Sequence, residues 1–438
     1  MITLKKFGRW YQFSETLNPK LEKVIDKTLS YVKVGSEFLP NPSWGQIHLY
    51  NLKKRAFPCG LISLVRPILK SWCNQYHDEW YEDENINLKP LPTQLTKLRD
   101  YQVEAFNTFW KTQGGLISLP TSAGKTMIAE RIIASFPTKK ILVVCPTKEL
   151  TKQWKDELGN MIELKDIRIA TYQKLYRELK TNKAQQLKDY SLVIFDECHH
   201  CSANSLYKIG LQCSNALMLG LTATEKRMDG AEMKIQAILG DIIYKVSIQD
   251  LVKKGYIVQG KVIIMDTPKY KAKPDEDFKK VYHSAIVTNQ ARNDKIRDIA
   301  IKECNRGTVI IICKHLEQGG LIYNSLKNTL RKVVYVHGTS KERDKTFEDI
   351  KAGKYDIVVA TKVYGEGVSI PNLMTLILAS GGKSSTEIIQ TTGRLLRLFK
   401  NKDKAIIYDF SDSGRSISKH FKERLRIYEE NGYEVTYG

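Results

Sequence analysis

Residues 119–126 read Leu-Pro-Thr-Ser-Ala-Gly-Lys-Thr, directly after a short apolar run. Leu116, Ile117 and Leu119 can close a buried strand, and Ser122-Ala123-Gly124 can turn successive N–H groups around a phosphate. A helix beginning near Lys125 would present its positive end to the anion. A strand passing into a helix through such a loop ties the chain to an α/β architecture with a parallel sheet. In this reading Thr121, Ser122, Ala123 and Gly124 form the loop, Lys125 reaches the β- and γ-phosphates of ATP, and the Thr126 hydroxyl ligates Mg2+. Leu119 stands where the first glycine of the phosphate-loop pattern is usual, so an ordinary strand-to-helix turn is the plain alternative.

A second segment narrows the choice. Ser191-Leu-Val-Ile-Phe195 reads as a fully buried parallel strand that delivers Asp196 and Glu197 at its C-terminal edge. Asp196 would hold Mg2+ through water, and Glu197 would orient the water that attacks the γ-phosphate. The competing reading is zinc, because Cys198, His199, His200, Cys201 and Cys213 lie close together. That strand end is already committed to magnesium, and no second Cys-x-x-Cys completes a tetrahedron. The remaining cysteines are scattered, several within apolar runs where a small buried thiol is ordinary.

Elsewhere strands and helices alternate. Leu98–Gln102 opens a helix carrying Val103, Phe106 and Phe109 on its inner face, and a helix over Thr126–Ile133 follows the loop. Next come strand Ile141–Cys145, helix Thr151–Leu158 and strand Ala216–Gly220. After a lysine-rich stretch at 268–280 the pattern restarts with a helix over Asn289–Ile301 and strands at Gly307–Cys313, Val333–Val336, Asp356–Ala360, Leu373–Leu378 and Ala405–Tyr408. This second half has no phosphate loop of its own. It does carry Gln390, Arg394 and Arg397, spaced to share one side of a helix begun near Thr386, where two guanidiniums could serve as arginine fingers. A solvated basic face is the alternative.

Loops at Pro146-Thr147, Thr171, His337-Gly338 and Thr361 combine hydroxyls, glycines and single basic groups, a chemistry suited to sugar-phosphate backbone. The charge of +21, from 69 Lys+Arg against 48 Asp+Glu, would draw a polyanion to the surface. Charge by itself does not separate nucleic acid from an acidic membrane, but the apolar runs are only strand length, so no export or spanning segment is expected.

Thr121–Thr126, Pro146-Thr147, Asp196-Glu-Cys-His199, Thr222-Ala-Thr224, Gly365-Glu-Gly367 and Gln390–Arg397 together resemble the motif series of superfamily 2 helicases, in that order over about residues 95–410. The Asp-Glu-x-His form and Leu221–Gly230 are similar to the branch that includes the XPB and UvsW helicases. The resemblance implies two tandem RecA-like domains, with 91–240 as the first, 241–288 as linker and start of the second lobe, and 289–438 as the rest. It also implies that Gln102 meets adenine, that His199, Thr222, Thr224 and Gly367 couple ATP state to nucleic-acid grip, and that Gln390, Arg394 and Arg397 complete the nucleotide site. Thr224 is followed by Glu225 where the family usually has proline.

The implied activity is an ATP-dependent motor on forked, branched or single-stranded DNA. It would work as a monomer, without a membrane, in the cytoplasm of a bacterial or phage-infected cell. A duplex translocase that does not unwind, an RNA helicase and a non-motor nucleic-acid-binding protein remain alternatives. Residues 1–90 read as a small accessory α/β domain, possible as a fork-binding module, with strands at Val34–Phe38 and Gln46–Leu52 and a helix at Leu61–Trp72 that Pro67 would kink or shorten. The acidic run His77–Glu84 reads as a linker-side surface.

Overall fold

The computed structural model describes the chain except residues 37–39, 77–79, 83–88, 92–97, 137–139, 160–165, 201–202, 224–231, 271–275, 339–342, 362–371, 383–384, 400–401 and 415. It divides into two compact units, Met1–Leu119 with Gly124–Lys245, and Pro120–Ala123 with Val246–Gly438. Each contains one large parallel sheet of the RecA-like type, and the first also contains the small accessory domain.

The first large sheet has the strand order Ile242–Lys245, Gly115–Ser118, Leu217–Thr222, Leu192–Phe195, Ile141–Cys145, Ile167–Thr171. All neighbours are parallel. Its inner strands are buried along their whole length because helices cover both faces, which is why they read as unbroken apolar runs. Val193, Phe195, Leu142, Leu206 and Met218 form the core on one side. The strand ends that carry Asp196 and Thr222 therefore emerge from a rigid base at the same edge of the sheet. The helix ahead of the phosphate loop spans Asp100–Thr112 and buries Tyr101, Gln102, Ala105, Phe109 and Trp110, whereas Val103, expected inward, is 41% exposed.

The second sheet has seven parallel strands in the order Val333–Val336, Ile357–Thr361, Thr308–Cys313, Leu373–Leu378, Lys404–Ser411, Gln259–Asp266, Glu434–Tyr437. The strand Gln259–Asp266 precedes the lysine-rich stretch, within the segment 241–288 read as linker and start of the second lobe, where the sequence pattern marked no strand. Its alternating burial, with Lys261 and Gln259 only part-buried, hides it among polar neighbours. The predicted helix at Asn289 is Gln290–Glu303, capped by the Asn289 side chain on Arg292 N.

In the accessory domain, Ile2–Phe7 and Trp10–Phe13 form a hairpin, flanked by Ala56–Pro58 and Trp80–Glu82. Trp80–Glu82 thus pairs with Ile2–Leu4 instead of lining a linker. The strand expected at Val34–Phe38 lies earlier, at Ser30–Val32, and Lys33–Ser36 turns back through a Ser36 N–H bond to Lys33 O at 3.1 Å. Phe38 lies outside the described residues. The partner strand is Gln46–His48, ending short of Leu52 because Asn51 pairs with Ala56 across a turn. The helix Ile62–Tyr76 runs through Pro67 without ending, held by Val65, Leu69 and Cys73 in the domain core. Gly60 enters it so close to the first sheet's helices that a Cβ there would stand 2.0 Å from Gln236 O.

Candidate nucleotide site and family

Strand Gly115–Ser118 feeds the loop, and helix Lys125–Ser135 leaves it. Between them Ser122 (φ 75°) and Gly124 (φ 74°) adopt left-handed backbone, a conformation rare for serine and found where function over-determines geometry. Gly124 stands at the N-cap of the helix and no side chain caps its first turn, an arrangement in which N-terminal N–H groups can take an anion. Gln102, 1% exposed, lies against this loop. A Cβ on Gly124 would meet Gln102 Nε2 at 2.5 Å, while Gln102 Oε1 accepts from Arg99 N at 2.9 Å.

Lys125 is buried, and its Nζ stands 3.0 Å from Glu197 Oε1 and 3.4 Å from Leu119 O. A buried ammonium needs such a carboxylate near it. Glu197 has φ 42°, a second non-glycine residue in left-handed backbone beside the phosphate loop. Its other oxygen lies 3.5 Å from His199 Nδ1, which in turn stands 2.7 Å from Thr222 Oγ1. His199 and Thr222 are both buried. Lys125, Glu197, His199 and Thr222 are therefore polar neighbours across three adjacent strand ends, within hydrogen-bond distance at Lys125–Glu197 and His199–Thr222 and at a longer 3.5 Å approach between Glu197 and His199.

Asp196 accepts from Trp154 Nε1 at 2.8 Å through Oδ2 and from Glu197 N at 2.9 Å through Oδ1. Burial, with the Glu197 charge second, pushes its carboxyl up to about 6, against the opposing pull of Trp154 and Lys125. Trp154 was not anticipated. A buried indole N–H requires an acceptor, so a tryptophan on the inner face of helix Lys148–Gly159 was the available signal. For magnesium the oxygen donors fit, since Thr126 and Asp196 supply a hydroxyl and a carboxylate, and this ion takes few protein ligands beside substrate phosphates. Among the described residues no group of three His, Cys, Asp or Glu could enclose a metal by itself. Cys198 and Cys213 belong to the hydrophobic core, and burial pushes the Cys213 thiol up to about 12, which opposes thiolate ligation of zinc. Cys201 lies outside the described residues.

The backbone-contact candidates have local duties too. Thr147 Oγ1 accepts from Leu150 N at 3.2 Å, and Thr171 Oγ1 from Lys174 N at 3.4 Å, each capping the helix that follows. Gln173 Nε2 holds Pro146 O at 3.2 Å. In the second unit Thr361 ends a strand and is buried, His337 lies 4.9 Å ring to ring from Tyr335, and Gly338 is exposed. Thr224 and Gly367 lie outside the described residues, as does the side chain of Gln390.

The helix Ser385–Leu395 carries Gln390 and Arg394, but Arg397 lies beyond its end, so the three do not share one helical face. Loop residues Pro120–Ala123 group with the second unit, within which Ser122 Oγ donates to Gly393 O at 3.0 Å and accepts from Arg397 Nε at 3.0 Å. Leu395, the last residue of the helix, and Leu396 just beyond it are fully buried. Among the described residues no helix is long and apolar enough to cross a membrane.

Comparison with known proteins agrees with this geometry. The family described as Helicase conserved C-terminal domain matches residues 291–399, and that described as Type III restriction enzyme, res subunit, matches 95–166 and 161–227. The chain is 27% identical over 384 residues to DNA 3'-5' translocase XPB2 of Sulfurisphaera tokodaii, covering 74% of this chain and 84% of that one. It is 26% identical over 423 residues to the ATP-dependent DNA helicase uvsW of Enterobacteria phage T4, covering 84% and 82%. In fold alone it is similar to a fragment named for the HsdR subunit of a type I restriction enzyme from Vibrio vulnificus YJ016, with TM-score 0.61, 19% identity and coverage of 91% and 76%. The chain belongs to the superfamily 2 helicases of the DExH type, related to the UvsW and XPB branch, and is an ATP-dependent enzyme of nucleic acid.

Proposed function

We propose that this chain is an ATP-driven DNA motor that remodels forked or junction DNA in replication, recombination or repair. The observation that carries the reading is the run of polar neighbours from Lys125 through Glu197 and His199 to Thr222. A phosphate tail entering the loop competes with Glu197 for the Lys125 ammonium, and a change at Glu197 is passed by His199 to the end of strand Leu217–Thr222. Nucleotide state thereby reaches the segment that begins with Thr222 and Thr224.

In this reading Thr121–Gly124 cradle the phosphates, Gln102 meets adenine, and Thr126 and Asp196 would hold magnesium. Bound there, the ion would offset negative charge on the phosphates. Glu197 orients the attacking water, and Gln390, Arg394 and Arg397 of the second unit act in turnover, as the family's motif order supports. Pro146, Thr147, Thr171, His337, Gly338 and Thr361 take the nucleic-acid backbone, Gly367 joins the coupling set, and residues 1–90 act as the fork-binding module. DNA is favoured over RNA by the names of the two relatives, a DNA translocase and a DNA helicase. The first of these also supports a second reading, translocation on duplex without unwinding.

The test is ATP turnover against single-stranded, duplex, forked and four-way DNA and the matching RNAs, with forked-duplex unwinding compared to triplex displacement. Stimulation greatest on forked or four-way DNA is expected, together with loss of turnover in Glu197→Gln at nearly unchanged DNA binding. Preference for RNA, or wild-type turnover in Glu197→Gln, would refute the assignment.

A further inference from the structure

The second unit contains two buried ion pairs that the nucleotide chemistry does not use. Arg292 is fully buried and grips Asp412 with both arms, Nε to Oδ1 at 2.7 Å and Nη2 to Oδ2 at 3.0 Å. Arg424, 2% exposed, grips Asp409 in the same way at 2.8 and 3.0 Å. Each guanidinium has one more arm, and both of these go to one loop. Arg292 Nη1 donates to Ala379 O at 2.9 Å, and Arg424 Nη1 donates to Gly382 O at 3.0 Å. Gln318 Nε2 adds a second donor to Ala379 O at 3.3 Å, and Tyr282 OH donates to Ser380 O. Gly381 between them has φ 59°, and a Cβ there would strike Ile286 Cδ1 at 2.5 Å.

That loop joins strand Leu373–Leu378 to helix Ser385–Leu395, the helix of Gln390 and Arg394. The far end of the helix is held as well. Buried Lys402 donates through Nζ to Leu395 O at 2.5 Å and Leu373 O at 2.7 Å, with no carboxylate paired to it among the described residues, and Tyr433 OH donates to Thr392 Oγ1 at 2.9 Å. A loop carbonyl at the end of a strand could be satisfied by water. Committing buried guanidiniums to it, each with its own counter-charge, makes sense where the position of the next helix must be fixed.

We propose that Arg292 and Arg424, with Asp412 and Asp409 and together with Tyr282 on Ser380 O, are positioning residues that act as one set for the arginine-bearing helix. By fixing the carbonyls of Ala379, Ser380 and Gly382 they set where Arg394 stands, and hence the rate of turnover, not the affinity for ATP. The proposal rests on the reading that Arg394 acts in turnover.

A buried ion pair replaced by apolar side chains of similar volume is often neutral for stability. The double variant Arg292→Met/Asp412→Leu therefore separates position from folding. Its thermal midpoint should stay close to wild type, kcat of nucleic-acid-stimulated turnover should fall about tenfold or more, and KM for ATP should change less than about twofold. An unchanged kcat in the folded double variant overturns the proposal. Should the double variant fail to fold, Tyr282→Phe decides, since it removes only the bond to Ser380 O: lowered kcat at an unchanged midpoint supports the positioning role, and full kcat overturns it. Arg394→Ala in the same series distinguishes the two failures. Retained turnover there removes the reading beneath the proposal, whereas lost turnover there beside an unaffected double variant removes the positioning role alone.

Discussion

The charged pairs of the two units use the same chemistry under different exposure. In the first, Lys125 and Glu197 meet at a single 3.0 Å contact, and their side chains retain 9% and 17% of their surface. In the second, Arg292–Asp412 and Arg424–Asp409 are closed by two bonds each, with no side chain above 2%. A pair that a ligand can still reach is exchangeable, because phosphate can take the place of the carboxylate. A sealed bidentate pair is permanent, and its spare donor becomes a fixed point for the backbone. The first kind suits a switch and the second suits a frame.

The contrast is most sharply tested by breaking one partner on each side. Lys125→Ala should lower ATP turnover by about two to three orders of magnitude or more, as for a lost transition-state donor. It leaves only a part-exposed carboxylate behind, so the fold should lose about 1–2 kcal/mol. Asp412→Leu leaves the Arg292 guanidinium buried with no counter-charge, and should destabilise the second unit by about 3–5 kcal/mol. Urea unfolding beside ATPase assays of both variants measures this. If Asp412→Leu unfolds like wild type, the distinction between exchangeable and permanent pairs fails.

A carboxylate of the first unit sharpens the comparison further, because it is buried without the pairing that Asp409 and Asp412 have. Glu130, on the helix that follows the phosphate loop, is 6% exposed, and among the described residues no cation is paired with it. Burial, with the charge of Glu157 second, pushes its carboxyl up to about 7 from 4.5. A carboxyl raised in the folded state favours folding while it is protonated. That contribution is complete below 4.5 and is lost as the pH rises through about 7. Glu130→Gln removes the dependence. The variant should gain up to about 3 kcal/mol over wild type near pH 8, shrinking toward zero as the pH falls to about 4.5. Denaturant midpoints followed across that range give the measurement, and a gain that does not vary with pH would show that Glu130 does not titrate in the fold.

The same difference explains what could be read from the sequence. Strands such as Ile141–Cys145 and Thr308–Cys313 are buried on both faces, so composition alone marks them. The placement of Lys125 and Asp196 at strand ends of one sheet was legible because the apolar strands before them are short and unbroken in the sequence. The frame was not legible: Arg292 and Asp412 lie 120 residues apart, and Trp154 and Asp196 lie 42 apart. No period links such pairs, and a lone arginine in a helix reads as surface charge until the fold closes on it. Arg397 was misplaced because spacing by turns assumes a helix that in fact ends at Leu395. The strand expected from Val34 falls instead at Ser30–Val32, because the chain turns at Gly35, whose φ is 91°.

The smallest expected effect concerns Thr147, where a structural and a functional duty fall on one hydroxyl. The oxygen accepts from Leu150 N and so caps the helix Lys148–Gly159, and in the proposed reading the hydroxyl proton goes to a nucleic-acid phosphate. Aspartate separates the two duties. It caps as well as threonine does and is favoured by the positive helix end, so Thr147→Asp should unfold within about 0.5 kcal/mol of wild type. It has no proton to donate, and its charge would meet a backbone phosphate at about 4 Å with about 1 kcal/mol of repulsion, a loss of about fivefold in affinity. Thr147→Ser, which keeps both acceptor and donor, should bind as wild type, and Thr147→Ala should lose about 1 kcal/mol of stability with the cap. Fluorescence titration with labelled single-stranded DNA reads the difference. Equal affinity for Thr147→Asp and wild type would leave Thr147 as a helix cap only, and would place it on the side of the frame.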